Sequence, residues 1–183
     1  MPKLLLSTLF FAFFLSFNSR YIAVKPTIIT GKVVSIMDGD TFKLLTKDST
    51  TVKVRLANID CPEKKQAYAT KAKQFVSNAI FSKNVTVQVL KKDRYRRLIA
   101  NVYYGDSINL NHQLVKHGLA WHYVKYSKDS VLQKLEDQAR NEKLGLWQDP
   151  NAISPWQWRA DKKEASRLRK LKKQQANNYI LSE

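Results

Sequence analysis

Short alternating segments, interrupted once by a helical pattern, constrain the fold of this chain more than any other feature. In residues 51–56 every second residue is apolar, which places Val52, Val54 and Leu56 on one face of a strand. Residues 67–81 instead repeat apolar side chains at helical spacing. Four further segments have the composition and length of short strands: 31–37, 41–45, 85–89 and 98–104.

The order of these segments predicts the architecture. The helical pattern falls between the third and fourth strands, and two further helices are predicted at 108–117 and 131–143, each followed by a glycine. Five short strands with one inserted helix favour a β-rich α+β fold. We expect a five-stranded closed barrel of the oligonucleotide/oligosaccharide-binding (OB) type with three helices. A length of 183 residues suits one such domain with appendages.

The N-terminus has the pattern of an export signal. Lys3 precedes an apolar stretch at residues 4–17, and no acidic residue occurs before Asp38. Residues 1–19 are therefore predicted to be a signal peptide, with an uncleaved membrane anchor as the alternative. Either reading predicts an exported protein, secreted or periplasmic.

The charge of the chain indicates a polyanionic partner. Lysine and arginine total 32 against 15 aspartates and glutamates, for a formal net charge of +17. Each basic residue that neutralises a phosphate releases a counterion, so nucleic acid is a natural partner. A single cysteine excludes an intramolecular disulfide framework and a multi-thiolate zinc site. Charge alone does not decide whether the polyanion is bound or cut.

The C-terminal part carries a concentrated share of this charge. Beyond Trp147 an irregular strap is predicted, from Pro150, Pro155, Trp156 and Trp158. Residues 159–183 are predicted to be a basic tail, helical or disordered. Between residues 159 and 173 there are eight basic residues and two acidic ones. Such a run is either a solvated helix or a second contact with a polyanion or a membrane surface.

The few acidic residues point to the chemistry. Asp38, Asp40, Asp60 and Glu63 all fall at predicted strand ends or turns rather than on helix faces. Hard divalent cations such as calcium require several oxygen ligands, and carboxylates that converge from neighbouring loops provide them. Taken singly, the Asp-Gly-Asp sequence is equally a plain turn.

Arginine placement gives an independent signal. Arg55 is the only arginine between Tyr21 and Asp93, and the next three, at 94, 96 and 97, are clustered on one loop. Arginine donates two parallel hydrogen bonds to a phosphate, which lysine cannot do. Phosphodiester hydrolysis requires stabilisation of charge, a positioned water and a base. Arg55, Arg97 and Glu63, with a metal at Asp40 and Asp60, would supply these parts.

Five stretches, in order and with matching gaps, resemble the thermonuclease, or staphylococcal-nuclease-like, family and its exported bacterial branch. They contain Asp38-Gly39-Asp40-Thr41, Val54-Arg55-Leu56 with Asp60-Cys61-Pro62-Glu63, Asp93-Arg94-Tyr95-Arg96-Arg97, Leu114 to Ala120, and Gly145-Leu146-Trp147. The resemblance implies a nuclease domain at residues 27–158. It also implies calcium-dependent endonuclease activity on DNA and RNA, with no obligatory protein partner and a monomeric state.

The same resemblance implies a role for each matching residue. Asp40 and Asp60 would bind Ca²⁺, together with Cys61, which would act mainly through its backbone carbonyl. Glu63 would position or deprotonate the attacking water, and Arg55 and Arg97 would hold and stabilise the phosphate. Tyr123 and Tyr126 are candidates for stacking on a terminal nucleotide or for core packing.

Two features bear on these assignments. Arg96 stands where the family usually has glycine, a residue that tolerates a positive φ. Either Arg96 or Arg97 therefore reaches the phosphate, and the spacing favours Arg97.

His112, His117 and His122 are five residues apart and do not share one helix face, which argues against a histidine metal site.

A non-catalytic nucleic-acid-binding module of the same fold is the alternative function. A module that only binds has no need for Arg55, Asp40, Asp60, Glu63 and Arg97 together. The presence of all five therefore favours the enzyme.

Overall fold

Five strands close into a barrel in the computed structural model, which describes residues 27–180. The predicted signal peptide at 1–19 lies outside the described residues. The strands are β1 (Thr27–Ile36), β2 (Thr41–Thr46), β3 (Thr51–Leu56), β4 (Ile59–Asp60), β5 (Asn84–Lys92), β6 (Leu98–Tyr104), β7 (Ile108–Asn109) and β8 (Trp121–His122). The barrel order is β3-β2-β1-β5-β6, and β7 extends it beside β6.

The barrel closes through one parallel pairing. Strands β3 and β6 run side by side, with Val54 opposite Leu98 and Arg55 opposite Ile99. The other neighbouring strands of the barrel pair in an antiparallel manner. The predicted five-stranded OB-type barrel is thus confirmed, and its closure places the residues around Arg55 beside the start of β6.

Three helices accompany the barrel, as predicted, and a fourth follows them. They are α1 (Ala69–Ile80), α2 (Leu110–Lys116), α3 (Ser130–Asn141) and α4 (Pro155–Ile180). The second helix begins two residues later than predicted because Asn109 caps it and accepts a hydrogen bond from the His112 amide at 3.1 Å. A 3-10 turn at Gly145–Gln148 follows α3.

The irregular strap predicted after Trp147 is wrong in its last part. Pro155 begins α4, so Trp156 and Trp158 are helical and the helix continues through the basic segment to Ile180. Proline suits the first turn of a helix because backbone N–H groups in that turn have no acceptor within the helix, so the absence of an N–H costs no hydrogen bond. Helix α4 therefore continues without a break across the predicted boundary between the nuclease domain, ending at residue 158, and the tail, beginning at residue 159.

The main core lies between the barrel and the helices. Alternating residues of the strands point inward, and α1 buries Ala72, Val76 and Ile80 at a spacing of four residues. Asn111 on α2 joins this helix to the closure of the barrel. Its side-chain amide donates to the carbonyl of Ala57 at 2.9 Å.

A second, smaller core holds the C-terminal elements together. The rings of Trp121 and Trp147 meet edge to face at 4.3 Å, and Trp156 packs against Trp121 at 5.6 Å. The Arg140 guanidinium lies 3.6 Å from the centre of the Trp147 ring. This cluster fixes the first turn of α4 against β8 and α3. None of the helices between residues 27 and 180 combines the length and apolarity needed to cross a bilayer.

Gly118 provides a test of how α2 is joined to the turn after α3. Its φ is +62°, and an added Cβ would lie 2.2 Å from the Leu144 carbonyl oxygen. We expect Gly118→Ala to lower the free energy of unfolding by about 3 kcal/mol or more, because steric overlap adds to left-handed strain.

Gly105 offers the matched control for this substitution. Its φ is +52°, but an added Cβ would meet nothing closer than 3.9 Å. Gly105→Ala should cost only about 1 kcal/mol, measured by urea denaturation of both variants. An equal loss of unfolding free energy in the two variants would show that backbone strain alone, and not the close approach of Leu144, explains the need for glycine at position 118.

Candidate active site

The Asp38–Asp40 turn between β1 and β2 carries the first carboxylates of the site. The Asp38 carboxylate accepts a hydrogen bond from the Asp40 amide at 3.0 Å. Gly39 lies so close to α1 and to the segment after β4 that an added Cβ would be 2.9 Å from the Cβ atoms of Ala72 and Cys61. This close approach allows the Cys61 amide to donate to Asp40 Oδ2 at 3.0 Å, and Asp40 is only 7% exposed.

Arg55 joins the carboxylate of Asp40, in the turn before β2, to that of Asp60 in β4. Its Nη2 lies 2.7 Å from Asp60 Oδ1 and 3.2 Å from Asp40 Oδ2. The antiparallel pairing of β2 with β3 sets Arg55 opposite Thr41, beside Asp40, so the strand register produces this contact. The Nη1 group donates to the carbonyls of Leu56 and Ile59, which leaves the guanidinium fixed in one orientation.

Asp60 is held in place by a short pair of strands. In that pair, β4 runs antiparallel to β8, and Asp60 is opposite Trp121. The carboxylate is almost fully buried, at 2% exposure. Burial raises its pKa above the ordinary value, while hydrogen bonding and charge from Arg159 and Arg55 act in the opposite direction.

Glu63 contacts an arginine that the sequence analysis placed in the tail. Arg159, in the second turn of α4, donates through Nη1 to Glu63 Oε1 at 2.6 Å and through Nη2 to Asp60 Oδ2 at 2.7 Å. The side chain of Glu63 is 38% exposed. Its second oxygen, Oε2, takes part in no hydrogen bond among residues 27–180.

Gln66 links the Glu63 segment to the start of α4. Its side-chain oxygen accepts a hydrogen bond from the Glu63 amide at 2.9 Å, and its Nε2 donates to the Ile153 carbonyl. Gln66 is buried. Glu63 and Arg159 are thus held together by the backbone as well as by their own ion pair.

The loop between β5 and β6 presents Arg97 separately. Asp93 accepts hydrogen bonds from the Arg97 amide at 2.9 Å and from Arg97 Nε at 2.8 Å. Desolvation acts to raise the pKa of Asp93, but these hydrogen bonds from Arg97 outweigh it, and the pKa is lowered. Arg97 lies two residues before Ile99, and Ile99 is the residue of β6 that pairs with Arg55. Within the described part of the chain, no hydrogen bond or ion pair joins Arg97 to Asp40, Asp60 or Glu63.

Arg96 keeps the conformation for which glycine is suited. Its φ is +64°, and its amide donates to the Asp93 carbonyl at 3.0 Å. A left-handed conformation costs a non-glycine residue about 1 kcal/mol. The loop therefore accepts this strain, and Arg97 keeps its place at the start of β6.

The two candidate tyrosines differ in their surroundings. Tyr123 is stacked on Trp156, with ring centres 5.1 Å apart and an interplanar angle of 5°. Tyr126 packs edge to face on Tyr123 at 4.8 Å and is 62% exposed. The structure thus places Tyr123 in the packing of the first turn of α4 and leaves Tyr126 open to solvent.

Two carboxylates and a surplus of negative charge favour a cation at this site. Asp40 and Asp60 direct one oxygen each toward a single point, now contacted by Arg55 Nη2. Four acidic residues and two arginines make up the cluster, for a formal charge of −2: Asp38, Asp40, Asp60, Glu63, Arg55 and Arg159. Desolvation in the turn, followed by the charge of Asp40, raises the pKa of Asp38 to about 6, although the residue lies at the exposed rim.

The carboxylates of the cluster suit calcium chemically, but the side chains would supply only part of its coordination shell. The residues from 27 to 180 contain no group of three or more His, Cys, Asp or Glu side chains arranged to hold a metal. Two carboxylates would therefore be joined by backbone carbonyls, water and substrate oxygen, which calcium accepts. Cys61 does not contribute its sulfur, because burial raises the pKa of the thiol well above its usual value and thiols are poor ligands for hard cations.

Sequence reasoning missed Arg159, Gln66 and Trp156 as parts of this site. The sequence analysis assigned Trp156 to an irregular strap and Arg159 to the start of a basic tail. Neither assignment connected these residues to Asp60. No local signal distinguishes Gln66 from an ordinary helix-leading glutamine.

Comparison with known proteins identifies the relatives of this chain. The profile of the family described as Staphylococcal nuclease homologue matches residues 53–149. An uncharacterized endonuclease of Haemophilus influenzae is 46% identical over 134 residues, covering 73% of this chain and 75% of that protein. A micrococcal nuclease of Shigella flexneri is 40% identical over 146 residues, covering 74% and 83%.

A plant protein extends the comparison to a more distant relative. The staphylococcal-like nuclease CAN1 of Arabidopsis thaliana is 37% identical over 111 residues, which cover 61% of this chain and 34% of that protein. The region matched by the family profile begins within β3 and contains the β3–β6 closure of the barrel and the Asp60–Glu63 segment. Because the family profile and these relatives match most of the barrel domain, the chain belongs to the family of staphylococcal nuclease homologues.

Proposed function

We propose that this protein is a calcium-dependent endonuclease that hydrolyses DNA and RNA. The observation that carries the proposal is the convergence of the Asp40 and Asp60 carboxylates on Arg55 Nη2, with Glu63 joined to the same cluster through Arg159. Relatives at 46% and 40% identity are named endonuclease and nuclease. The net charge of +17 suits a polyanionic substrate.

Arg55 and Arg97 bind the scissile phosphate in this proposal. The Nη atoms of Arg55 are occupied by carboxylates and carbonyls, which fix the guanidinium, while its Nε–H has no partner among the described residues and is left for a phosphate oxygen. Arg97 approaches from the loop before β6. Two fixed guanidinium groups stabilise the charge that builds up on phosphate oxygens during hydrolysis.

Glu63 positions the attacking water and takes its proton. Its carboxylate is partly exposed, and Oε2 is open to a water molecule while Oε1 is held by Arg159. A carboxylate fixed at one oxygen and free at the other is suited to orient a nucleophile. Asp40 and Asp60 would hold Ca²⁺, which would supply positive charge to the phosphate when bound.

The first prediction concerns the metal. The full chain should cleave single-stranded DNA, double-stranded DNA and RNA at low salt in the presence of calcium. A chelator should reduce cleavage to background, and excess calcium should restore it, as followed by release of acid-soluble nucleotides. Cleavage that persists in chelator would rule out the metal assignment. Binding without cleavage in calcium would favour the non-catalytic module instead.

The second prediction concerns Glu63. Glu63→Gln should lower kcat by about 10²- to 10⁴-fold, because a general base is lost, while oligonucleotide affinity stays within a few-fold of the parent. Glu142→Gln makes the same chemical change after α3, where Glu142 contacts Gln138. This control should keep the parental kcat. A loss in affinity as large as the loss in kcat would assign Glu63 to binding rather than to catalysis.

A further inference from the structure

An open groove of about 780 Å³ extends from the candidate active site along α4. Glu63 and Lys64 form its wall on the barrel side. One face of α4 forms the other wall and contributes Arg159, Lys162, Lys163, Arg167 and Lys170. Since Arg159 also contacts Asp60 and Glu63, this α4 groove is continuous with the carboxylate cluster.

Charge is distributed unequally around α4. Of the eight basic residues between 159 and 173, five line the groove, whereas Asp161 and Glu164, the two acidic residues of that stretch, do not. Lys162, Lys163, Arg167 and Lys170 lie three, four, eight and eleven residues after Arg159, which keeps all five on one side of a helix. Every residue from 160 to 178 is exposed. Arg159 pairs with Asp60 and Glu63, and Arg167 lies 3.7 Å from Glu164. Among the described residues, Lys162, Lys163 and Lys170 take part in no ion pair.

The dimensions suit a strand of nucleic acid. Arg159 and Lys170 are eleven residues apart, which corresponds to about 16 Å along a helix. One strand of B-form DNA carries a phosphate about every 3.4 Å along the helix axis, so this length spans four or five phosphates of such a strand. Leu168 and Leu171 are the only large apolar side chains among residues 160–178, at 50% and 44% exposure, and two such residues do not form a face for a lipid bilayer.

We propose that the α4 groove binds the phosphate backbone of the substrate strand on one side of the scissile phosphate. The inference rests on the proposed nuclease function, and it adds a second binding site on an element outside the barrel. Arg159 marks the point at which the two sites meet. Lys162, Lys163, Arg167 and Lys170 then contact successive phosphates away from Glu63.

Two double variants with the same chemical change test this proposal. Lys163→Gln with Arg167→Gln removes one lysine and one arginine from the groove. Arg169→Gln with Lys172→Gln removes the same two residue types from positions of the same helix that do not line it. Both are made in full-length Glu63→Gln protein, so that binding is measured without cleavage. Circular dichroism checks that helix content is equal.

The groove pair should weaken binding of a labelled single-stranded 20-mer by about 10- to 30-fold at ~0.1 M salt. It should also reduce the slope of log affinity against log salt by about 1.4, or ~0.7 for each lost contact. The control pair should remain within about twofold of the parent in affinity. Equal losses for the two pairs would overturn the groove as a site, and so would no loss for either.

A length series gives an independent measurement. The groove pair should affect a 12-mer and leave a dinucleotide little changed, because the single phosphodiester of a dinucleotide, bound beside Glu63, does not reach Lys163. Equal effects on both lengths would contradict an extended site. If the groove pair instead abolishes binding to phosphatidylglycerol vesicles and leaves oligonucleotide binding intact, α4 binds membranes and the proposal is wrong.

These measurements separate the inference from the proposed function. Groove-dependent binding in the Glu63→Gln background, together with no cleavage in calcium by the protein with Glu63 intact, would refute the nuclease activity alone. Cleavage by the protein with Glu63 intact, together with oligonucleotide binding unaffected by the groove pair, would refute the α4 site alone.

Discussion

The ion pairs of Arg55 with Asp40 and Asp60 are the contact on which the rest of the site depends. Two buried carboxylates so close together repel each other, and an uncompensated buried charge is costly. Arg55 offsets that repulsion and ties the turn before β2, strand β3 and strand β4 to one guanidinium. The residue assigned to phosphate binding therefore also holds the site together, so its chemical and structural roles have a common physical origin.

The fold supplies this contact from two sides. The barrel closes next to Arg55 through the β3–β6 pairing, and the β4–β8 pair fixes Asp60 opposite Trp121. Trp121 belongs to the small tryptophan core that seats the first turn of α4. Arg159 therefore reaches the carboxylates because of packing on its own helix, and the C-terminal helix is a part of the active-site architecture.

The sequence predicted those features that depend on local pattern. Alternation in β3 and helical spacing in α1 predicted the barrel and the inserted helix, and the Asp and Arg motifs predicted that Asp40, Arg55 and Asp60 would converge. The short strands β4, β7 and β8 were not predicted, because two-residue pairings depend on tertiary contacts. Pro155 was read as a breaker although it starts a helix. Arg159 was missed because its contact with Asp60 spans 99 positions along the chain.

The exposed part of α4 has a further consequence. Residues 160–178 have no core to pack on, so their helix depends on its own hydrogen bonds and lacks the tertiary packing that supplies most helix stability in proteins. Like charges four residues apart, as in Lys163 with Arg167 and Arg169 with Lys173, oppose the helical state further. A neutralising polyanion shifts this helix–coil equilibrium toward helix. Folding of the C-terminal segment is therefore coupled to the charge of what it binds, whereas the barrel is folded by its apolar core.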